Sequence, residues 1–322
     1  MSVLLSDSSA VLADHGSLGF GIGTASPIVT QPGITLPANL RAVGVITQFT
    51  NFNSASDSQL LDLRNGGNDD VHSNNTLLQL SLLAAYGVTD DLTLGVRIPY
   101  VRRSGIRTPD EEEDFVFRNG NPGGFGDVSI FGQYRFYHSA DNLNHASLTI
   151  GLKTPTGETN VKNDQGGTFE TEHQPGAGAW SPSAGFSFTR VMGSFSFDTN
   201  VLYTVSTQGA QGTDLGNVFD YNFALSYAFG APARNAFFAA SNNAPWTAVL
   251  ELNGEWQGSQ RVTGLKDPNS GGNTVFISPG IRYSGRKYWN TALAIGVPVV
   301  KDYNGYQTPP DLRITWRFVT AF

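Results

Sequence analysis

The sequence predicts an all-β protein, specifically a closed antiparallel transmembrane β-barrel of about twelve strands. Three observations carry this prediction. From Leu40 onward apolar and polar residues alternate with a period of two, which is the period of a β-strand. No useful window shows a helical period. The connections between the alternating segments are short and long in turn, which is typical of outer-membrane barrels.

The alternating segments are regular enough to be assigned one by one. Within the segment 217–229, one face carries aromatic and aliphatic side chains from Phe219 to Phe229, whereas the residues between them, from Asp220 to Ala228, are small or polar. Such a two-faced strand separates an apolar environment from a polar one. The sequence predicts twelve strands of this kind, over residues 40–53, 75–88, 92–101, 125–138, 145–154, 180–191, 194–207, 217–229, 246–257, 273–284, 288–299 and 311–322.

The connections predict which ends of the strands share a side of the membrane. Short turns lie at residues 89–91, near 142, at 192–193 and at 285–287, and they should face the periplasm. The long loops should be extracellular, although the link 230–245 is long where a short turn is expected. An even number of strands returns the carboxyl terminus to the side on which the first strand began. The long loops cover residues 54–74, 102–124, 155–179, 208–216, 258–272 and 300–310.

Alternation alone would also fit a soluble β-sandwich, so the faces decide between the two. The outward faces carry almost no charge, and the inward faces are small and polar where a sandwich core would hold Leu and Val. Aromatic residues recur near strand ends, as interfacial girdles require. The chain ends on Phe322, the usual form of the signal read by the barrel-assembly machinery. Twelve strands tilted by about 40° give a radius of roughly 12 Å, which leaves an opening for a small solute only.

Composition excludes several function classes. There is no cysteine, which excludes a disulfide scaffold, thiol catalysis and zinc–thiolate sites. The net charge is −7, and five of the acids form the run 110–114, interpreted as a solvated loop. The sequence has no basic stripe of the kind that binds nucleic acid. No lysine or arginine precedes Arg41, so the start is not a signal peptide, and we expect a mature, exported chain in the bacterial outer membrane.

Several stretches resemble a family of bacterial outer-membrane transporters associated with the degradation of phenol and other aromatic compounds. The stretches are YGVTDDLTLGVRIPYV (86–101), GGFGDVSIFGQYRF (123–136), GLKTPTGET (151–159), FETEHQPGAGAWSP (169–182) and NVLYTVSTQGAQGTDLGN (200–217). The resemblance covers most of the chain from about Ser26. It implies a twelve-stranded channel for small hydrophobic or aromatic molecules, and it supplies no catalytic motif.

Strand register predicts which side chains line the lumen. A constriction is expected at Arg97, Phe131, Asn200, Leu202, Glu251 and Arg317. Further charges expected in the lumen are Asp127, Arg135, Lys153, Asp198, Asp220, Glu255, Arg282, Asp311 and Arg313. Because the acids and bases balance, no strong field of one sign is expected. Two interpretations stay open: the charges pair across the lumen and make it rigid, or Arg97 and Arg317 set a constriction with mild anion preference.

The chain divides into an amino-terminal arm, residues 1–38, and the barrel, residues 39–322. The arm is irregular, moderately apolar and punctuated by Gly and Pro. We expect part of it to enter the lumen, and a disordered tail is the alternative. Leu77, Leu83 and Phe276 also face inward, where they would either favour a hydrophobic solute or pack against an inserted segment.

The sequence does not favour an enzyme. The five histidines are interpreted as structural, and no catalytic triad, phosphate loop or metal-ligand spacing is evident. Glu251 and Glu255 stand about 13 Å apart on one strand, too far for paired acid–base work. The expected function is a passive outer-membrane diffusion channel for small hydrophobic or aromatic molecules, without cofactor or metal.

Two other function classes stay open. The first is a general or mildly anion-selective porin, and the second a membrane-embedded hydrolase or a structural or adhesive barrel. Expected partners are outer-membrane lipids and lipopolysaccharide, the barrel-assembly machinery and the solute itself. We expect no nucleic-acid partner, and we expect a monomer.

Overall fold

The computed structural model describes residues 27–68, 71–110, 113–229, 246–285 and 289–322. The first 26 residues of the predicted arm, part of the acidic run, the whole link 230–245 and part of the turn 285–287 lie outside the described residues. Among the helices that are described, none has the length and apolar character needed to cross a membrane.

Eighteen strands are described, twelve of which form a ring. They are β1 (Arg41–Phe52), β2 (Thr76–Thr89), β3 (Leu92–Ser104), β4 (Ile106–Pro109), β5 (Val116–Gly120), β6 (Gly123–Phe125), β7 (Ser129–His138), β8 (Asn144–Lys153), β9 (Ser181–Met192), β10 (Phe195–Thr204), β11 (Thr213–Asp214), β12 (Val218–Ala228), β13 (Trp246–Gln257), β14 (Arg261–Val262), β15 (Leu265–Lys266), β16 (Gly272–Gly285), β17 (Trp289–Tyr303) and β18 (Pro310–Ala321). The ring runs β1, β2, β3, β7, β8, β9, β10, β12, β13, β16, β17, β18 and back to β1.

A single chain closes this barrel. β1 pairs antiparallel with β18, from Ala42 opposite Ala321, and on its other edge with β2. Phe322 extends the seam, because its backbone exchanges hydrogen bonds with that of Arg41 at 2.9 and 3.0 Å. Closure satisfies the backbone groups that hydrocarbon could not hydrate. The predicted twelve-stranded closed barrel is therefore confirmed.

All twelve predicted strands are present, and the differences lie at their ends. β3 continues to Ser104 and β17 to Tyr303, so both project beyond the predicted limits. Where β7 leaves β3 above Arg97, the short strand β6 takes over the pairing. The ladder between β16 and β17 skips residues 278 and 279. Proline at 279 lacks the N–H that a ladder needs, which accounts for the skip.

One expectation was wrong, since the first long loop contains a helix, α1 (Asp57–Asn65). Ser56 caps it: the hydroxyl accepts from the N–H of Gln59, and the Gln59 side chain accepts from the N–H of Ser56. This capping box was present in the sequence as Ser-x-x-Gln. The nine-residue helix was missed because its apolar period is too short to stand out.

The two faces of the wall differ as the alternation predicts. Large apolar side chains on the outside are exposed, such as Leu94, Ile150 and Leu250, whereas their neighbours in sequence are buried inside. At the short-turn end the ring of Tyr283 contacts those of Trp246 and Trp289, edge-on to the first and tilted to the second, with ring centroids 4.8 and 5.5 Å apart. An apolar belt with an aromatic edge is what a lipid bilayer selects.

Candidate functional site

The chain crosses its own lumen before it enters the wall. We call residues 27–37 the lumen segment. Ile28 and Gln31 are each only 1% exposed, although no regular secondary structure includes them. The segment runs from the inner faces of β13 and β18 to the short turn between β2 and β3. Residues 27–33 and Leu36 contact side chains that point inward from the wall.

Glu251 is a buried hydrogen-bond acceptor for the segment. Its carboxylate accepts hydrogen bonds from three consecutive backbone N–H groups, those of Ile28 at 2.8 Å, Val29 at 3.0 and 3.1 Å, and Thr30 at 3.2 Å. Successive N–H groups converging on an anion form a binding nest. Because Glu251 is fully buried, these donors replace the water that the charge would otherwise need.

Arg317, a cation, binds the carbonyl oxygens of the same stretch. Its guanidinium donates to the carbonyl oxygens of Pro27 at 2.6 Å and Ile28 at 2.7 Å. Arg317 is 2% exposed, so its contacts with the segment are made away from solvent. An anion on β13 and a cation on β18 thus grip the N–H and C=O groups of one peptide stretch.

The middle of the segment is held by uncharged groups. The N–H of Gln31 donates to Asn200 Oδ1 at 2.8 Å, and its side-chain Nε2 donates to Thr149 Oγ1 at 2.9 Å. Gln133 Nε2 donates to the carbonyl of Pro32 at 2.7 Å. These bonds place the segment against β7, β8 and β10.

At Gly33 the segment approaches the wall closely. Its N–H donates to Thr189 Oγ1 at 2.9 Å, and its carbonyl accepts from Ser147 Oγ at 2.6 Å. A Cβ at this position would lie 2.6 Å from the carbonyl oxygen of His145. Only glycine fits there without a shift of the backbone.

Apolar packing completes the contacts. Leu36 packs in one buried cluster with Phe131 and Leu202, at the short-turn end of the lumen. Ile28 packs with Val249 on the opposite side of the barrel. Of the inward-facing apolar residues, Phe131 and Leu202 thus share a buried cluster with the segment, whereas Leu77 and Leu83 belong to clusters of wall residues.

The structure places all six predicted constriction residues on the inner wall. Three of them, Asn200, Glu251 and Arg317, form hydrogen bonds with the lumen segment. Phe131 and Leu202 share a buried cluster with Leu36 of the segment, and Arg97 Nε donates to Ser81 Oγ at 3.0 Å. That these residues set a constriction for solute stays a prediction.

The other predicted lumen charges occupy several levels of the barrel. Asp127 accepts from the N–H groups of Gly157 and Ala177, so it fixes an extracellular loop. Arg135 pairs with Asp91 at 2.7 Å near the short turns. Asp311 is exposed rather than in the lumen, because it lies at the start of β18, where the ladder with β1 skips it.

The remaining charges lie on the inner wall with differing surroundings. Asp198 accepts from Thr189 Oγ1 at 2.5 Å, and the Arg313 guanidinium lies 3.8 Å above the Phe276 ring. Asp220, Glu255 and Arg282 are buried on the same face of the wall, and Lys153 is half-buried.

Sequence reasoning missed the hydroxyl and amide partners of the segment. Thr93, which accepts from the N–H of Leu36 at 2.8 Å, and Thr149 and Thr189 look like ordinary inward residues of a polar strand. Their only signal was their parity within the strand. Without the path of residues 27–37, nothing distinguishes them from other small polar side chains.

A second buried cluster lies in the extracellular loops. His72 Nε2 lies 2.9 Å from Glu172 Oε1, and His173 Nδ1 lies 3.8 Å from the same oxygen. Burial lowers the pKa of His173 to about 3, and the charge of His72 adds to this. Burial alone would raise the pKa of Glu172, but the charge of His72 and its hydrogen bond outweigh burial and lower that pKa. At neutral pH the cluster therefore holds a carboxylate and a neutral imidazole.

Comparison with known proteins identifies the family. A family model described as "Putative MetA-pathway of phenol degradation" matches residues 98–318. The chain belongs to this family. The match includes all the strands from β4 to β17, and it confirms the resemblance seen in the sequence. No curated protein matches the sequence significantly.

Several solved structures of outer-membrane proteins are similar to this chain. The COG4313 outer membrane channel from Pseudomonas putida F1 is 16% identical, with a TM-score of 0.63 over 90% of this chain and 97% of that chain. The β domain of the Bordetella autotransporter BrkA is 8% identical, with a TM-score of 0.47 over 88% of this chain and 100% of that chain. The CymD monoaromatic hydrocarbon channel is 12% identical, with a TM-score of 0.43 over 89% of each chain.

The first of these comparisons supports the same architecture that the apolar belt indicates. A closed antiparallel barrel with a lipid-facing belt is the form in which strands cross the outer membrane. The chain is an outer-membrane barrel.

Proposed function

We propose that the protein is a passive outer-membrane diffusion channel for small hydrophobic or aromatic molecules. The observation that carries the proposal is the lumen segment, which fills a narrow closed barrel through contacts made entirely inside one chain. Family membership supports the cargo class, since the family is described by phenol degradation. The Pseudomonas barrel, which is a channel by its description, shares the fold.

The lumen suits a small solute with an apolar part. Its charges are of both signs, so no single-sign field selects an ion. Phe131, Leu202 and Leu36 provide an apolar patch beside hydrogen-bonding groups. An apolar patch lowers the cost of transfer for a hydrophobic solute and raises it for a hydrated ion. An aromatic acid or alcohol would use both kinds of surface.

The lumen segment must move for solute to pass at mid-height, because Glu251 and Arg317 are shielded from solvent around it. Its contacts allow such movement. Hydrogen bonds to charged groups contribute about 1.5–3 kcal/mol each, and water entering the lumen would replace most of them. The segment is therefore a removable obstruction, whereas the wall of paired strands is not.

Uptake into liposomes tests the proposed function. Purified protein is reconstituted, and the uptake of a small aromatic acid is compared with that of a sugar of similar mass, with protein-free liposomes as the control. Faster uptake of the aromatic acid, with low ionic conductance in planar bilayers, is the expected result. Equal uptake with large conductance would identify a general porin instead.

The same preparation separates the remaining classes. We propose that the protein is not an enzyme, and hydrolysis of an ester or phospholipid would contradict this. If hydrolysis occurs, alanine variants of His72 and His173 test whether the loop cluster is responsible. Absence of both permeability and hydrolysis would favour a structural or adhesive barrel.

Assembly requires partners in the cell. We propose that the barrel-assembly machinery recognises the last strand, β18, through Phe322, whose side chain is exposed. Lipids and lipopolysaccharide would then surround the apolar belt. Loss of membrane insertion in a Phe322→Asp variant, with wild-type expression, is the expected result.

A further inference from the structure

Three potential metal ligands meet in the extracellular loops, and the proposed transport function uses none of them. His72 belongs to the loop between β1 and β2, whereas Glu172 and His173 belong to the loop between β8 and β9. One ligand atom from each residue lies within 4.8 Å of the others. About one hundred positions separate the two parts, so no local spacing in the sequence could show the cluster.

We propose that His72, Glu172 and His173 bind one divalent transition-metal ion, of which Zn²⁺ is the best fit. Two histidines and one glutamate are a known zinc donor set that leaves a fourth position open. In a tetrahedral zinc site neighbouring ligand atoms stand about 3.4 Å apart. The distances of 2.9 and 3.8 Å to Glu172 Oε1 bracket that value, so small side-chain rotations suffice.

The burial of His173 provides an independent observation. Its Nε2 is buried and has no hydrogen-bond partner among the residues that the structure describes. Buried ring nitrogens normally have a hydrogen-bond partner, so this nitrogen is available to a further ligand. The ring edges of His72 and His173 also meet, with centroids 4.5 Å apart, which brings nitrogen donors from two loops together.

The surroundings meet two further requirements of a metal site. Gln260 donates a hydrogen bond to the Glu172 carboxylate and donates to Asp267 Oδ2 at 2.9 Å, so the carboxylate is held from behind. Glu172 and Gln260 also line a loop cavity of about 710 Å³, which gives an ion a path from outside. Glu170, whose carboxylate lies 3.9 Å from His173 Nδ1, lines the same cavity.

The local charge is compatible with a divalent cation. His72 and the buried Arg103 are the basic groups whose charges act on His173, and the Glu172 carboxylate opposes them. Nitrogen donors favour zinc and related ions over Mg²⁺ and Ca²⁺, which prefer oxygen. A bound ion would tie two extracellular loops together above the lumen.

Metal titration of the full-length chain tests the proposal. The protein is purified in detergent without a polyhistidine tag, stripped with a chelator and titrated with Zn²⁺, with Mg²⁺ as the comparison. We expect one Zn²⁺ per chain and a rise in the temperature at which the loops become susceptible to protease. Co²⁺ should give the visible absorption of a four-coordinate site.

Variants decide where the ion binds. Glu172→Gln and His173→Gln should each weaken Zn²⁺ binding by at least about tenfold. His138→Gln, which removes an exposed histidine at a short turn, is the matched control and should bind as the wild type does. Circular dichroism verifies that each variant retains the barrel. Stoichiometric binding that survives in His173→Gln, or no Zn²⁺ binding beyond that of Mg²⁺, would overturn the proposal.

Discussion

The lumen and the extracellular loop layer both bury charged side chains, but they satisfy them differently. In the lumen, Glu251 and Arg317 are matched by backbone groups of the same chain, residues 27–30. In the loops, Glu172 faces two histidines, one of which keeps an unsatisfied ring nitrogen. Glu251 and Arg317 are thus held by backbone groups of the chain itself, whereas we propose that the loop cluster takes an additional ligand.

The two regions differ in whether their contacts can be broken without moving the surrounding structure. Backbone N–H groups bound to a carboxylate can exchange that partner for water, and among the described residues the segment is joined covalently to the wall at β1. Side chains that converge from two loops cannot separate without moving those loops. The lumen is therefore the region suited to opening, and the loop layer is the region suited to being fixed.

Removal of the lumen segment should have the largest effect. A variant that begins at Ala38 loses the whole segment but retains all twelve barrel strands. We expect single-channel conductance in planar bilayers to increase several-fold, because Glu251 on β13 and Arg317 on β18 would then face open water. Conductance equal to that of the full chain would show that the segment does not obstruct the lumen.

Removing the charge of Glu251 should have a smaller effect. Glu251→Gln keeps the shape but removes the charge that accepts from Ile28, Val29 and Thr30. A loss of about 1.5–3 kcal/mol corresponds to at least about tenfold more frequent opening. Single-channel recording measures the open fraction. Glu255→Gln, on the same face of β13, is the matched control. An equal effect of both variants would contradict a specific role of Glu251 in binding the segment.

Adding a side chain at Gly33 should displace the segment locally. Gly33→Ala places a Cβ against the His145 carbonyl, a contact of 2.6 Å that the wall cannot relieve by rotating a side chain. Overpacking of this kind costs about 1–3 kcal/mol. Hydrogen exchange of residues 28–36 should accelerate, whereas Gly132→Ala, on the outer face, should leave it unchanged. Unaltered exchange in Gly33→Ala would mean that the segment is already loose.

The smallest effect is expected in the loop layer. Ser56→Ala removes the hydroxyl that caps α1 at Gln59 and should cost about 1 kcal/mol of local stability. Limited proteolysis should cut the loop between β1 and β2 faster, with unchanged conductance. A change in conductance would show that the loop layer and the lumen are coupled, contrary to the comparison drawn above.

Strand periodicity predicted the wall well because a lipid-facing barrel imposes one rule at every position. Outward and inward faces alternate through Phe219 to Phe229 without exception, so the register followed directly. The ends of β3 and β17 were less predictable, because strands that project beyond the bilayer no longer need apolar outward faces.

The site was only partly accessible to sequence reasoning. Glu251 and Arg317 could be placed in the lumen from their parity, but their partners could not, since backbone groups carry no sequence signal. The loop cluster is another case, because His72 and Glu172 meet through the folding of two long loops. Where contacts depend on loop paths rather than on strand register, periodicity gives no information.

The most direct test of the central claim is the chemical accessibility of the lumen segment. Because the chain has no cysteine, the thiol of an Ile28→Cys variant is unique and can be labelled with a small water-soluble maleimide. Leu60→Cys, equally buried but in α1, is the control for general unfolding.

The account predicts slow labelling of Ile28→Cys in liposomes, accelerated by adding Glu251→Gln, while Leu60→Cys stays unlabelled. If Ile28→Cys is labelled no faster than Leu60→Cys, with or without Glu251→Gln, the segment is a fixed part of the barrel and the account is contradicted.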